Sequence, residues 1–119
     1  MTTQQIADRL VALCKEGKWE QAHKELYAAD CVSIEPEASP GFEKEVKGMA
    51  AIDKKGKDFD AMVEATHGIT TSQPLVTGNT IAFVLDMDMT MKGRPRSKMA
   101  ELCVYTVKDG KIAAEQFFM

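Results

Sequence analysis

The sequence predicts an α+β fold in which helices come first and a run of antiparallel strands follows. Three observations carry this expectation. Up to about residue 63, apolar residues recur mainly at helical spacing. Beyond it, Ile81, Phe83, Leu85, Met87, Met89 and Met91 alternate with Ala82, Val84, Asp86, Asp88 and Thr90, as in a strand with one buried face. Turn residues then divide the remainder, at Gly78-Asn79, Gly93-Arg94-Pro95 and Asp109-Gly110. Helices and strands segregated in this order pack as separate layers.

Each element has its own signal. Thr2 and Gln5 have capping-box spacing and open a helix that runs to about residue 16. Ile6, Leu10 and Leu13 form its apolar face, with Val11 and Cys14 beside them, and Gly17 ends it. Trp19, Ala22 and Leu26 repeat the pattern over 18–28, so the two helices form a hairpin. Residues 31–37 read as a strand, and 38–46, with Ser39-Pro40-Gly41, as a loop. Met49, Ile52, Phe59 and Met62 place a third helix over about 48–63. Gly56 weakens that helix by about 1 kcal/mol relative to Ala, or else allows close packing there. Polar-rich residues 64–75 read as a half-exposed strand, followed by strands over 80–91, 98–107 and 111–119. No repeat, linker or low-complexity segment interrupts 1–119, so one domain is expected.

Bulk properties narrow the function classes. A chain of 119 residues with 45% hydrophobic side chains has material for one core. The net charge of −3 offers nothing for phosphate attraction, so no nucleic-acid partner is expected. Lys44, Lys47, Lys54, Lys55 and Lys57 are interleaved with Glu43, Glu45, Asp53 and Asp58 and read as a solvated face. No apolar run reaches membrane-spanning length, and the N-terminus lacks a signal-peptide pattern. Cys14, Cys31 and Cys103 are odd in number and form no CxxC pair, which points to the cytoplasm. Eight methionines suit irregular cavities as well as ordinary core filling.

The segment Ile34-Glu35-Pro36 holds a carboxylate at a strand end, because Pro36 lacks an N–H and biases Glu35 toward extended geometry. Several segments occur in order with it: Leu26-Tyr27-Ala28-Ala29-Asp30, Lys47-Gly48-Met49-Ala50-Ala51-Ile52, Lys92-Gly93-Arg94-Pro95, Val107-Lys108-Asp109-Gly110-Lys111-Ile112, and Glu115-Gln116-Phe117-Phe118. Together they resemble the NTF2-like superfamily over nearly the whole chain, most closely its SnoaL-like members. The resemblance implies a cone of three N-terminal helices packed on a curved antiparallel sheet. It also implies a hydrophobic pocket and a homodimer formed through the sheet. In the related ketosteroid isomerases the residue matching Glu35 is the general base. Their tyrosine and aspartic acid oxyanion donors fall at Leu10 and near Cys103, so steroid isomerisation is not expected.

Register decides which side chains share that pocket. A three-residue loop at Lys108-Asp109-Gly110 would put Cys103 opposite Glu115 and Glu101 opposite Phe117, with Tyr105 on the same face. A two-residue loop would instead put Glu115 opposite Val104, away from Glu101. The three-residue loop is preferred because it gives Gly110 a left-handed position. Phe83, Leu85, Met87 and Met89 are placed on the pocket side. A bulge near residues 96–99 is needed for that, since otherwise Asp86 and Asp88 share the face of Glu101.

The expected site is therefore a cavity into which Glu35, Glu101, Glu115 and His67 reach, with Trp19 and Tyr27 in its wall. Apolar surroundings and neighbouring carboxylates disfavour double ionisation, leaving a base and an acid for proton transfer next to a carbonyl. His67 titrates in the same range. The competing readings are plain: Glu35 exposed, Glu115 paired with Arg94, Arg96 or a lysine, His67 half-buried, and Cys103 a small hydrophobe. No HxxH spacing supports a metal, and no glycine-rich phosphate loop implies an organic cofactor. The expected ligand is a small hydrophobic carbonyl compound. The activity would be of isomerase, cyclase or dehydratase type; the alternatives are non-catalytic ligand binding and a dimeric interaction module.

Overall fold

The computed structural model describes residues 1–38 and 42–119. The chain runs α1 (Thr3–Lys15), α2 (Trp19–Leu26), β1 (Tyr27–Ile34), β2 (Glu45–Lys47), α3 (Met49–Met62), β3 (Val63–Thr71), β4 (Leu75–Thr77), β5 (Thr80–Met91), β6 (Ser97–Lys108) and β7 (Lys111–Phe118). The α+β expectation holds, with two helices before the first strand and the third after β2. The sheet order is β2-β1-β7-β6-β5-β3, with β4 also on β5. One pairing departs from an all-antiparallel sheet: β1 runs parallel to β7.

The N-terminal cap forms as its spacing predicts. Gln5 N–H donates to Thr2 Oγ1 at 3.1 Å and Thr2 N–H to Gln5 Oε1 at 2.8 Å. Helix α2 stops two residues earlier than expected. Tyr27 is already extended, and its N–H still caps His23 O. Strand β1 ends at Ile34, and the Glu35 N–H reaches Lys44 O at 2.7 Å before Pro36 removes the next donor.

β2, with only three residues, is too short to show a period, and its first two residues lie in the expected loop, where Glu45 pairs with Ile34 and Val46 with Ser33. Ser39, Pro40 and Gly41 of that loop lie outside the described residues. The strand expected over 64–75 is two strands. Ser72 breaks it, donating its N–H to Val84 O at 2.9 Å and accepting Val84 N–H on its Oγ at 2.8 Å.

Two register expectations need correction. Leu85 pairs with Glu101 and Met87 with Met99 along a continuous β5–β6 ladder, so no bulge is required there. The connection between the paired Met89 and Ser97 has the parity that keeps odd-numbered residues of both strands on one face. At the β6–β7 turn the loop has two residues, not three. Lys108 pairs with Lys111, and Asp109 (φ 52°) and Gly110 (φ 74°) are both left-handed, as a type I′ turn requires. A register shift follows between Thr106 and Val107, which pair with Ala114 and Ile112. The extra residue, Ala113, returns Glu115 to the inner face opposite Tyr105, and Phe117 opposite Cys103.

The core lies between the helices and this inner face. Ile6, Leu10, Leu13 and Cys14 of α1 meet Ile81, Phe83, Leu85, Cys103, Tyr105 and Ile112 of the sheet. Phe83 and Tyr105 stack with centroids 5.5 Å apart. Replacing Gly110 by Ala places a Cβ on a left-handed residue, which costs about 1–2 kcal/mol. The Gly110→Ala midpoint in urea should fall accordingly with an unchanged slope; a loss under about 0.5 kcal/mol would contradict the turn.

Candidate functional site

The inner face of the strand ends gathers three of the four expected catalytic residues. Period two carries Cys31, Ser33 and Glu35 inward along β1 and its end, with Cys31 and Ser33 fully buried. β7 brings Glu115, only 4% exposed, alongside Ser33 across the parallel pairing. Glu101 is half-buried on β6, on the same face as Cys103. Across from the sheet, α3 presents Lys55, one turn from Ile52 and one turn from Phe59.

Tyr27, Glu115, Ser33, Lys55 and Glu35 form one hydrogen-bonded chain, and Glu101 lies outside it with 3.9 Å contacts from Cys103 Sγ. Tyr27 Oη donates to Glu115 Oε1. Ser33 Oγ donates to Glu115 Oε2 at 2.6 Å. Lys55 Nζ donates to Ser33 Oγ at 2.5 Å and to Glu35 Oε1 at 2.8 Å. The Lys55 ammonium also lies 5.6 Å from the Phe117 ring centroid. The Lys55 and Glu35 side chains are 13% and 25% exposed, so the chain runs from the core to the surface.

Electrostatics follow from that burial. Burial pushes the Glu101 carboxyl up to about 7, with the charges of Glu35 and Glu115 adding and Lys55 opposing. Burial and then Glu115 push the Cys14 and Cys31 thiols up to about 12. Cys103 moves the same way, through burial and then Glu101. All three are free, buried and thiol rather than thiolate at neutral pH, which removes Cys103 as a nucleophile. Burial and Glu115 hold Tyr27 as a neutral phenol, and burial does the same for Tyr105.

Other expected site residues lie elsewhere. His67 is exposed, and its Nε2 sits 2.8 Å from Thr90 Oγ1, so it does not join the cluster. A register shift between Thr66 and Gly68 puts it at an irregular point of β3. Asp86 and Asp88 face outward, where Asp88 binds Arg96 in a two-pronged pair at 2.9 and 2.8 Å. That pair also leaves Arg96 unavailable to Glu115.

Most of the expected pocket-lining residues lie in the buried core. Tyr27, Phe83, Leu85, Met87, Met89, Cys103 and Tyr105 are each 8% exposed or less. They share one buried core with α1, and Met89 also borders a cleft. Trp19 borders both clefts. The larger, about 340 Å³, is walled by Trp19, Asp60, Val63, Ile69 and Met89. The smaller lies beside His23 and Asp53, whose Nδ1 and Oδ1 are 2.8 Å apart. Phe117 is half-buried against the core.

Ser33, Lys55 and Cys14 were not read as site residues from the sequence. Ser33 shares the parity of Glu35, and Lys55 occupies the inward stripe of α3 between Ile52 and Phe59, so both had a legible signal. Among the described residues, no group of three or more His, Cys, Asp and Glu is placed to hold a metal ion. No described helix is long and apolar enough to cross a membrane.

With this geometry in place, the SnoaL-like domain model matches residues 1–119. The chain belongs to the SnoaL-like domain family. The crystal structure of a Mesorhizobium loti protein is similar over 100% of both chains, at 32% identity and a TM-score of 0.91. That protein is described provisionally as a SnoaL-like polyketide cyclase and, in the same description, as a carbohydrate phosphatase. An NTF2-like protein of unknown function from Burkholderia pseudomallei shares the fold at 11% identity and a TM-score of 0.84, over 100% of this chain and 92% of that one. A Catenulispora acidiphila protein with a ketosteroid isomerase-like fold, in complex with trimethylamine, shares it at 19% identity and a TM-score of 0.76, over 99% and 87%. No match was found among curated proteins.

The raised Glu101 gives this SnoaL-like domain a defined pH response. The native state holds a proton that the unfolded chain releases at its ordinary value near 4.5. The Glu101 contribution to stability therefore falls as pH rises from about 4.5 to about 7 and is flat above that. Glu101→Gln should melt higher than wild type at pH 8, by an amount on the order of 1–2 kcal/mol, and lose most of that advantage at pH 4.5. An advantage independent of pH would contradict the assignment.

Proposed function

We propose that this protein binds a small hydrophobic carbonyl compound and moves a proton next to the carbonyl without an organic cofactor. The activity is of isomerase, cyclase or dehydratase type. One observation carries the reading: the Lys55 ammonium donates to Glu35 at the surface end of a buried polar chain, and burial with the charge of Glu35 pushes the neighbouring Glu101 carboxyl up to about 7. Glu35 is the base, because it ends the chain where a ligand can reach it. Glu101 is the acid, because near pH 7 it can hold or release a proton. Glu115 stays out of contact with the ligand, since both its oxygens are occupied by Tyr27 and Ser33; it holds the framework. His67 has no part. The Mesorhizobium loti relative supports the substrate class, because closing a ring at a carbonyl begins with removal of a neighbouring proton.

A second reading rests on a separate observation. Val84, Leu102 and Phe118 are 36%, 41% and 45% exposed, and they pair in one row across β5, β6 and β7 on the outer face. We propose that this row forms a homodimer interface. The free, buried cysteines suit a reducing compartment such as the cytoplasm. A protein that only binds ligand or only dimerises would keep the fold and lack turnover.

Two measurements separate these readings. Wild type should exchange the α-protons of small hydrophobic ketones with deuterated water, followed by NMR, and Glu35→Gln should slow this about a hundredfold or more. Equal rates in the two proteins would sink the catalytic reading. Leu102→Glu should shift the sedimentation equilibrium mass from dimer to monomer without changing ligand binding. A wild-type protein that is monomeric at every concentration would remove the dimer.

A further inference from the structure

The ammonium of Lys55 is the strongest hydrogen-bond donor in the site, and it is only partly used. An ammonium has three N–H bonds. Two go to Ser33 Oγ and Glu35 Oε1, and the third meets no acceptor among the described residues. Glu101 is taken up as the acid of the proposed reaction, and the hydroxyl donors nearby are committed. The Tyr27 and Ser33 hydroxyls both point at Glu115. The thiols of Cys31 and Cys103 are weak donors, with distant contacts of 3.6 Å from Cys31 to Val32 O and of 3.9 Å from Cys103 to both Glu101 O and Glu101 Oε1. Lys55 is also held from behind, one turn from Ile52 on α3 and with its charge near the Phe117 ring.

We propose that Lys55 binds the ligand oxygen on which negative charge develops, and that the site selects compounds whose acidic form yields an enolate or phenolate. This rests on the proton-transfer reading above. In the step, the C–H bond beside the carbonyl breaks and its proton forms an O–H bond with Glu35. The C–H electron pair becomes the C=C bond, and the carbonyl π pair moves onto oxygen. Glu35 becomes neutral as the ligand becomes an anion, so the total charge beside Lys55 is unchanged. The cation that faced the Glu35 carboxylate then faces the new oxyanion. A phenol follows the same path with an O–H bond broken instead. Uncharged ligands of the same shape gain less from Lys55 than an oxyanion does, so selectivity lies in acidity rather than size.

The test measures binding of para-substituted phenols of similar size and rising acidity, with para-nitrophenol as spectroscopic probe and para-nitroanisole as uncharged control. In wild type, bound para-nitrophenol should show phenolate absorption, and affinity should tighten as phenol acidity rises. In Lys55→Met, phenol affinity should fall about tenfold or more while para-nitroanisole affinity stays level. A flat acidity series in wild type, neutral bound para-nitrophenol, or no phenol binding at all would overturn the proposal. So would equal phenolate binding by Lys55→Met. If Lys55→Met does not fold, the wild-type acidity series decides alone. Phenolate binding without ketone exchange would retire the base role of Glu35 and leave the Lys55 assignment standing. Glu35-dependent exchange without phenolate binding would do the reverse.

Discussion

The structure depends on how one buried carboxylate is satisfied. Glu115 sits in an apolar strand at 4% exposure, where an unpartnered charge would cost several kcal/mol. Tyr27 and Ser33 supply a hydroxyl to each oxygen. Those two residues lie near opposite ends of β1, so the carboxylate fastens β1 to β7 as well as satisfying itself. Through Ser33 the same contact reaches Lys55 and ties α3 to the sheet. Helix, first strand and last strand therefore meet at one polar core, and the candidate site is its surface end.

That arrangement depends on a compensation between two local irregularities. The two-residue type I′ turn at Asp109-Gly110 alone would send Glu115 to the outer face. The shift at Ala113 reverses it. Without the bulge, a carboxylate would lie in solvent and an apolar side chain would face Tyr27 and Ser33. The parallel pairing of β1 with β7 is equally necessary, because it sets Ser33 opposite Glu115.

The apolar side chains behind the polar cluster are buried in one core. Phe83, Leu85 and Tyr105 share that core with α1, and Met87 and Met89 are buried in it as well. Met89 also borders a cleft. Open volume is displaced toward Trp19 and β3, while the titrating groups collect at the strand ends. The polar chain meets solvent on the Glu35 and Lys55 side.

The sequence by itself determined the elements, because helical and strand periods are local. Capping at Thr2, the inward face of β5 and the strand-end position of Glu35 were all legible from spacing. It also brought Glu101, Glu115 and Phe117 to one face, though through a loop length that the structure corrects. The tertiary structure alone decided partners. Ser33 and Glu115 are 82 residues apart, and their contact depends on a parallel pairing that no local pattern announces. Lys55 looked like one charge among many on a solvated helix. Its burial against Ser33 and Glu35 was decided by which face of α3 the sheet covers, and that choice also excluded His67, whose strand turns it to solvent.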